Sequence, residues 1–236
     1  MRVLLLLTLL AACEPSLAHK PLPELVRQAP LTAIQVPMLM LVPGEQLTWN
    51  IHAKGLTIGR AEFAVEESVV RSRFETSKLV STFARARHEL ATVVDQQGAR
   101  SATELVDVDG EVSRTSVEFR GPRYLSGDKV GTIPDGNVGH TLHSALGVIR
   151  AWASPDARAG FLYVVHDGSV YRIDLARPFV EDLRGKRTLR IDCRVRGEVQ
   201  VSVTVWLSAG DDRTPLRFEV SAEGAQLTAE LLETDA

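Results

Sequence analysis

The chain has 236 residues, with 27 Lys and Arg against 30 Asp and Glu, a net charge of −3. Its basic residues are scattered and balanced by acids, which excludes a basic nucleic-acid-binding face. Two cysteines are too few for an internal disulfide framework once the first has another role.

The chain opens Met1-Arg2-Val3-Leu4-Leu5-Leu6-Leu7-Thr8-Leu9-Leu10-Ala11-Ala12-Cys13. One positive charge precedes an apolar run of roughly ten residues, about half of what a membrane-spanning helix needs. Such a run fits the hydrophobic region of a signal peptide, residues 1–12, which takes no part in the fold. Leu10-Ala11-Ala12-Cys13 resembles a lipobox, which makes Cys13 the expected site of lipidation and the protein an expected lipoprotein. Two or three acyl chains, each gaining about 0.8 kcal/mol per buried methylene, hold such a protein on a membrane. Cleavage after Ala18, where Ser16-Leu17-Ala18 supplies small residues, is the alternative and would leave a soluble periplasmic protein. Glu14 stands where an Asp would signal inner-membrane retention, so the expected address is the outer membrane, facing the periplasm.

Residues 13–43 follow as a tether. Pro15, Pro21, Pro23, Pro30, Pro37 and Pro43 disfavour both helix and central strand. Met38-Leu39-Met40-Leu41-Val42 is too apolar for a solvated linker and is expected to pack on the domain as an edge segment.

From Gly44 to Ala236 alternation dominates and predicts one β-rich domain. Leu47, Trp49, Ile51 and Ala53 share one face against Thr48, Asn50, His52 and Lys54. Ala61/Phe63/Val65, Leu189/Ile191/Cys193/Val195, Val199/Val201/Val203/Val205, Leu216/Phe218/Val220 and Leu227/Ala229/Leu231 repeat the pattern. Period two with one polar face means antiparallel strands packed on one side. Asp109-Gly110 and Asp167-Gly168 sit between β-branched runs and mark tight hairpins; Gly197 and Glu223-Gly224 mark further turns. About ten strands at this spacing make a strongly curved antiparallel sheet or open barrel. One segment, about 140–153, breaks the alternation: Leu142, Ala145, Leu146, Ile149 and Trp152 share a helical face and Pro155 ends it. This single amphipathic helix is expected on the concave side of the sheet.

No catalytic residue or cofactor site emerges. His140 and His143 have a chelating spacing, but no third ligand or glutamate base accompanies them, so they read as helix-surface or capping histidines titrating near pH 6–7 and no metal is expected. Asp107-x-Asp109-Gly110 has its glycine one ligand too early for a calcium loop and reads as a hairpin, while Gly210-Asp211-Asp212-Arg213 reads as an exposed turn. Cys193 lies on the apolar side of its strand, a buried thiol. Trp152 reads as core; Trp206 falls opposite the valines before it, either an exposed aromatic or the mark of a bulge.

Two stretches carry a resemblance. Gly44-Glu45-Gln46-Leu47-Thr48-Trp49-Asn50-Ile51 is followed by Gly55-Leu56-Thr57-Ile58-Gly59-Arg60-Ala61-Glu62-Phe63. Near the other end come Val205-Trp206-Leu207-Ser208 and Asp211-Asp212-Arg213-Thr214-Pro215-Leu216-Arg217-Phe218-Glu219. Together they resemble domain-of-unknown-function family 3108 of bacterial exported proteins, over roughly Gly44 to Glu233. The resemblance implies no enzyme activity. A more distant similarity is to lipoprotein carriers of the LolA and LolB type, which curve one sheet around a helix and hold acyl chains. A one-faced apolar sheet with one short helix leaves room for a hollow, so the expected function is a non-enzymatic envelope lipoprotein binding a lipid or other hydrophobic ligand. The alternative is an assembly partner that meets other envelope proteins through its sheet surface. The partners are thus the membrane through Cys13, and a hydrophobic ligand or an envelope protein.

Overall fold

The computed structural model describes residues 30–197 and 201–232. Cys13, the first 29 residues and Val199 lie outside the described residues. The chain enters with β1 (Thr32–Ala33), then runs up and down through β2 (Gln46–Ala53), β3 (Leu56–Val65), β4 (Val69–Thr76), β5 (Ala86–Val94), β6 (Ala99–Val108), β7 (Glu111–Arg120), β8 (Arg123–Ser126) and β9 (Lys129–Thr132). β10 (Gly139–His140) leads into α1 (Leu142–Trp152). After it come β11 (Gly160–His166), β12 (Ser169–Leu175), β13 (Phe179–Leu183), β14 (Lys186–Arg196), β15 (Val201–Ser208), β16 (Pro215–Ala222) and β17 (Ala225–Leu231).

The 17 strands of the described residues belong to one sheet. The surplus over the expected ten comes from short pieces such as β1, β8, β9, β10 and β13, two to five residues each, which are too brief for alternation to reveal. β17 pairs antiparallel with β2, Leu231 opposite Trp49, and this joins the two halves of the chain. β1 and β10 share one edge of β11, both parallel to it. β14 is long enough to pair with β13 through Lys186–Arg190 and with β12 through Cys193–Arg196.

The turns carry the curvature. Lys54-Gly55, Asp109-Gly110, Asp167-Gly168, Arg184-Gly185 and Glu223-Gly224 each place two successive residues at positive φ. Two-residue loops of that kind match the twist of the strands they join. The rolled sheet stays open: its ends meet through side chains. Phe119 and Tyr124 from the β7–β8 end pack with Phe161, Tyr163 and Val165 of β11 over the fully buried Ile133. Tyr124 Oη donates to the Gly168 carbonyl across the seam at 3.0 Å.

α1 lies on the concave side. Thr141 caps it, accepting from the Ser144 amide while the Ser144 hydroxyl accepts from the Thr141 amide. Ala145, Val148 and Ile149 pack against Leu162, Val164, Leu189, Ile191, Cys193, Val205 and Leu207. One expectation for the helix fails. Leu142 is exposed, whereas His143, Ser144 and Arg150 are buried. The cause is the rolled sheet together with the entering segment: Phe63, Ser72 and Thr92 close over His143, Glu45 and Asp212 hold Arg150, and residues 34–42 cover the helix beside Gly147. Leu39 is buried, Ile34, Val36 and Leu41 pack on the same cluster, and the Met40 amide donates to the Gly147 carbonyl. The folded domain therefore takes in the proline-rich stretch from Thr32 onward.

Candidate functional site

Two polar constellations stand out, one inside the sheet and one outside.

The inner one begins with residues that alternation aims at the core. Glu104 on β6 is buried, and His88 Nε2 of the neighbouring β5 donates to its Oε1 at 2.6 Å. His166, at the end of β11 across the seam, places Nδ1 3.4 Å from Oε2, and Thr115 Oγ1 donates to the same oxygen. Burial would raise the Glu104 carboxyl; the His88 hydrogen bond and the charges of His166 and His88 outweigh it and hold it below the ordinary range. A small cavity of about 20 Å³ beside Glu104 and His166 has room for about one water.

His143, in the first turn of α1, has ring nitrogens 3.0 Å from Thr92 Oγ1 and 2.9 Å from Ser72 Oγ. Burial pushes its imidazole down to about 3, with the charge of His88 adding to the effect and a backbone hydrogen bond at Val70 opposing it. His140 sits in β10 rather than on the helix, buried, its Nδ1 without a hydrogen bond among the described residues, and burial alone lowers it to about 4. Both histidines are therefore buried neutral groups. The surface or capping role and the titration near pH 6–7 are overturned, because His143 packs under Phe63, Ser72 and Thr92 of the sheet and His140 is buried in β10. Ser72 and His143 stand like a nucleophile and its base, but the group behind the imidazole is the Thr92 hydroxyl rather than a carboxylate. The contact ties α1 to β4 and β5.

The other residues singled out in the sequence fall as follows. The Gly110 amide donates to Asp107 Oδ1 at 3.0 Å, closing a hairpin around Asp109. Asp212 accepts from the Ser208 and Thr214 hydroxyls, and the Thr214 bond holds it below the ordinary carboxylate range. Cys193 is buried, which pushes its thiol up to about 12. Trp152 is half-buried against the helix cluster. Trp206 sits where the β15–β16 register shifts, and it is covered: the ring lies between the Arg190 and Arg217 guanidiniums while Nε1 donates to Glu181.

The outer constellation was not read from the sequence. Antiparallel register sets residues of β3 to β7 in rows across the outer face. One row runs Glu62, Arg73, Glu89, Leu105, Arg114; the next runs Arg60, Glu75, Arg87, Asp107. Sign alternates along and between the first three strands, and Arg73 and Arg87 each pair with both Glu75 and Glu89. Opposite charges facing across strands stabilise such a face by a few tenths of a kcal/mol per pair. In a third row, Ala64, Arg71, Ala91, Thr103, the short side chains of Ala64, Ala91 and Thr103 leave a groove of about 600 Å³ beside the charged rows. Arg60, Arg71, Arg73 and Arg114 line it with Glu62 and Glu89, so cations prevail there on a chain of net negative charge. Arg114 has no ion-pair partner among the described residues. The arrangement offers hydrogen-bond donors, two carboxylates and the apolar side chains of Ala64, Ala91 and Leu105. It can bind a polar surface of complementary charge.

No protein-family model matches the chain, and no curated protein matches it significantly. A solved structure does: a β-barrel-like protein of domain of unknown function 1849 from Brucella abortus, 9% identical, TM-score 0.57, covering 86% of this chain and 98% of that one. At that identity the likeness shows the fold alone, a β-barrel-like domain.

Proposed function

We propose that this chain is a non-enzymatic bacterial envelope lipoprotein, held through Cys13, that acts as an assembly partner by presenting the outer face of β2 to β7 to another envelope protein. The observation that carries the reading is a groove on the outer face lined by charged side chains. The concave side is occupied by α1 and residues 34–42, and the cavity beside Glu104 has room for about one water. The groove of about 600 Å³ lies instead on the outer face, among arginines and glutamates. Graded charge of this kind favours docking in one orientation. The exported, non-catalytic role is inferred from the apolar run before Cys13 and from the sequence motifs that resemble family 3108, while the solved structure supports a β-barrel-like domain alone.

The second reading, a bound lipid or hydrophobic ligand, is supported by the curved sheet around one helix. It requires the seam between β8 and β11 to part and α1 to shift.

Native mass spectrometry of the exported protein, purified without detergent, separates the two. The partner reading expects one mass with no extractable lipid beyond the anchor. A photo-crosslinking residue at Thr103 then captures a discrete envelope protein in cells, and the Arg73→Glu, Arg114→Glu double variant reduces that adduct at least tenfold. A stoichiometric lipid on a Cys13→Ser protein, with crosslinks unaffected by the charge reversals, would make the chain a carrier. The anchor has its own test: Cys13→Ser abolishes palmitate labelling and releases the protein from the membrane fraction.

A further inference from the structure

Three hairpin ends of the meander are tied into one rim. The Ser77 amide donates to the Ile58 carbonyl at 2.8 Å and its hydroxyl to the Thr57 carbonyl, joining the β4–β5 loop to the β2–β3 hairpin. On the other side the Arg85 amide donates to Asp109 Oδ1 at 2.8 Å and the Asp109 amide to the Arg85 carbonyl at 2.9 Å. That pair joins the same loop to the β6–β7 hairpin.

The apolar side chains of this rim point into water. Leu56 is 68% exposed, Leu79 72%, Phe83 87% and Val112 62%. The loop that carries two of them is internally bonded: the Ser81 amide donates to the Ser77 carbonyl, the Phe83 and Ala84 amides to the Val80 carbonyl, and the Thr82 hydroxyl to the Leu79 carbonyl. Its backbone is satisfied with Leu79 and Phe83 outward, so their exposure is built into the loop. Single exposed leucines are ordinary; four large apolar side chains on adjoining turns mark a contact surface.

Charge and size select the partner. The loop Ser77–Arg85 contains no acid, and Lys78 and Arg85 flank its apolar residues. Their side chains have no partner among the described residues. Lys54 stands on the adjoining turn; of the three acids of the β6–β7 end, Asp109 is engaged with the Arg85 amide, Asp107 with the Gly110 amide, and Glu111 is the third. Four protruding side chains on three turns fall well short of the roughly 800 Å² each copy contributes to a stable dimer. They suit a fluid boundary that closes around each one.

We propose that this rim docks on an anionic lipid surface, with Phe83 and Leu79 entering the boundary between headgroups and acyl chains and Lys78 and Arg85 meeting phosphates. The proposal is independent of the Cys13 anchor and of the outer groove.

A local reporter tests it in the full chain, since the apolar run at residues 3–12 can itself carry the protein to vesicles. Phe83→Trp adds an indole whose emission is read against the unsubstituted protein. With vesicles of phosphatidylcholine and phosphatidylglycerol the added emission shifts to the blue, and brominated acyl chains quench it by half or more. Lys78→Glu with Arg85→Glu cuts that quenching severalfold. Added emission that brominated vesicles leave unchanged, while the protein floats with them, overturns the proposal. Emission already blue without lipid, in a dimer that Phe83→Asp dissociates, assigns the rim to a second copy and overturns it equally.

Discussion

Arg150 of α1 and Glu45, just before β2, form a buried ion pair: Nη1 lies 2.6 Å from Oε2 and Nη2 3.0 Å from Oε1, with the guanidinium closed to solvent. Nη2 also donates to the Asp212 carbonyl at 2.6 Å, so one side chain links α1, the start of β2 and the β15–β16 turn. The Arg150 Nε has no hydrogen bond among the described residues. Removing one partner strands a charge in the core. Glu45→Gln is expected to lower unfolding stability by about 3–5 kcal/mol, measured by urea titration. The pair Glu45→Leu with Arg150→Met is expected to regain most of that. A single variant as stable as the parent would mean that water reaches the guanidinium.

Acid should weaken the protein before its carboxylates titrate. His143 and His140 fall to about 3 and about 4, below the 6.5 they have in an unfolded chain. Between those values and 6.5 the unfolded state binds protons that the native state refuses, so stability falls as pH drops through that window. Glu104, also lowered, acts in the same direction further down, because protonating it costs its bonds to His88 and Thr115. The urea midpoint is expected to be flat above pH 7 and to decline steadily from pH 6.5 to 4.5. His143→Gln starts from a lower midpoint at pH 7, having lost the Thr92 and Ser72 contacts, but declines less steeply. Equal slopes for parent and variant would remove His143 from the explanation.

The seam joins the two ends of the rolled sheet through side chains rather than strand pairing. It closes through Tyr124, whose ring leaves no room above Gly131: a Cβ there would stand 2.1 Å from the ring. Gly131→Ala is expected to cost about 1–3 kcal/mol as Tyr124 is displaced. Tyr124→Phe removes only the bond to the Gly168 carbonyl, about 1 kcal/mol. Hydrogen exchange should rise in β8, β9 and the β11–β12 turn in both, and stay unchanged in β14 to β16. Uniform acceleration across the domain would show that the seam opens only with global unfolding.

The Cys193 thiol should be inert in the native protein. Burial pushes it up to about 12, and the neighbouring Asp192 carboxylate adds to the shift. In a Cys13→Ser background, maleimide at pH 8 is expected to leave the folded chain unmodified for hours and to label it within minutes in urea. Rapid native labelling would place the β14 strand in frequent exchange with an open form.

The sequence by itself determined what depends on neighbours a few residues apart. Alternation gave the longer strands and their buried faces, Asp109-Gly110 and Asp167-Gly168 gave hairpins, and the change of period at about residues 140–153 gave the helix, which runs Leu142–Trp152. Cys193 was legible as buried for the same reason: its position in the alternation decides its side of the sheet. Tertiary structure decided everything that rests on partners far apart in the chain. His143 meets Ser72 and Thr92, Arg150 meets Glu45, and His166 meets Glu104 across the seam. Period two names a residue's face but not its register, so it could not place Glu62, Arg73 and Glu89 in one row or set Ala64 and Ala91 beside them to open a groove. Nor could it show that Leu39 and Leu41 fill the side of α1 that the sheet leaves open. A hydrophobic pattern records how much apolar surface must be buried; which segment buries it is settled only when the chain closes on itself.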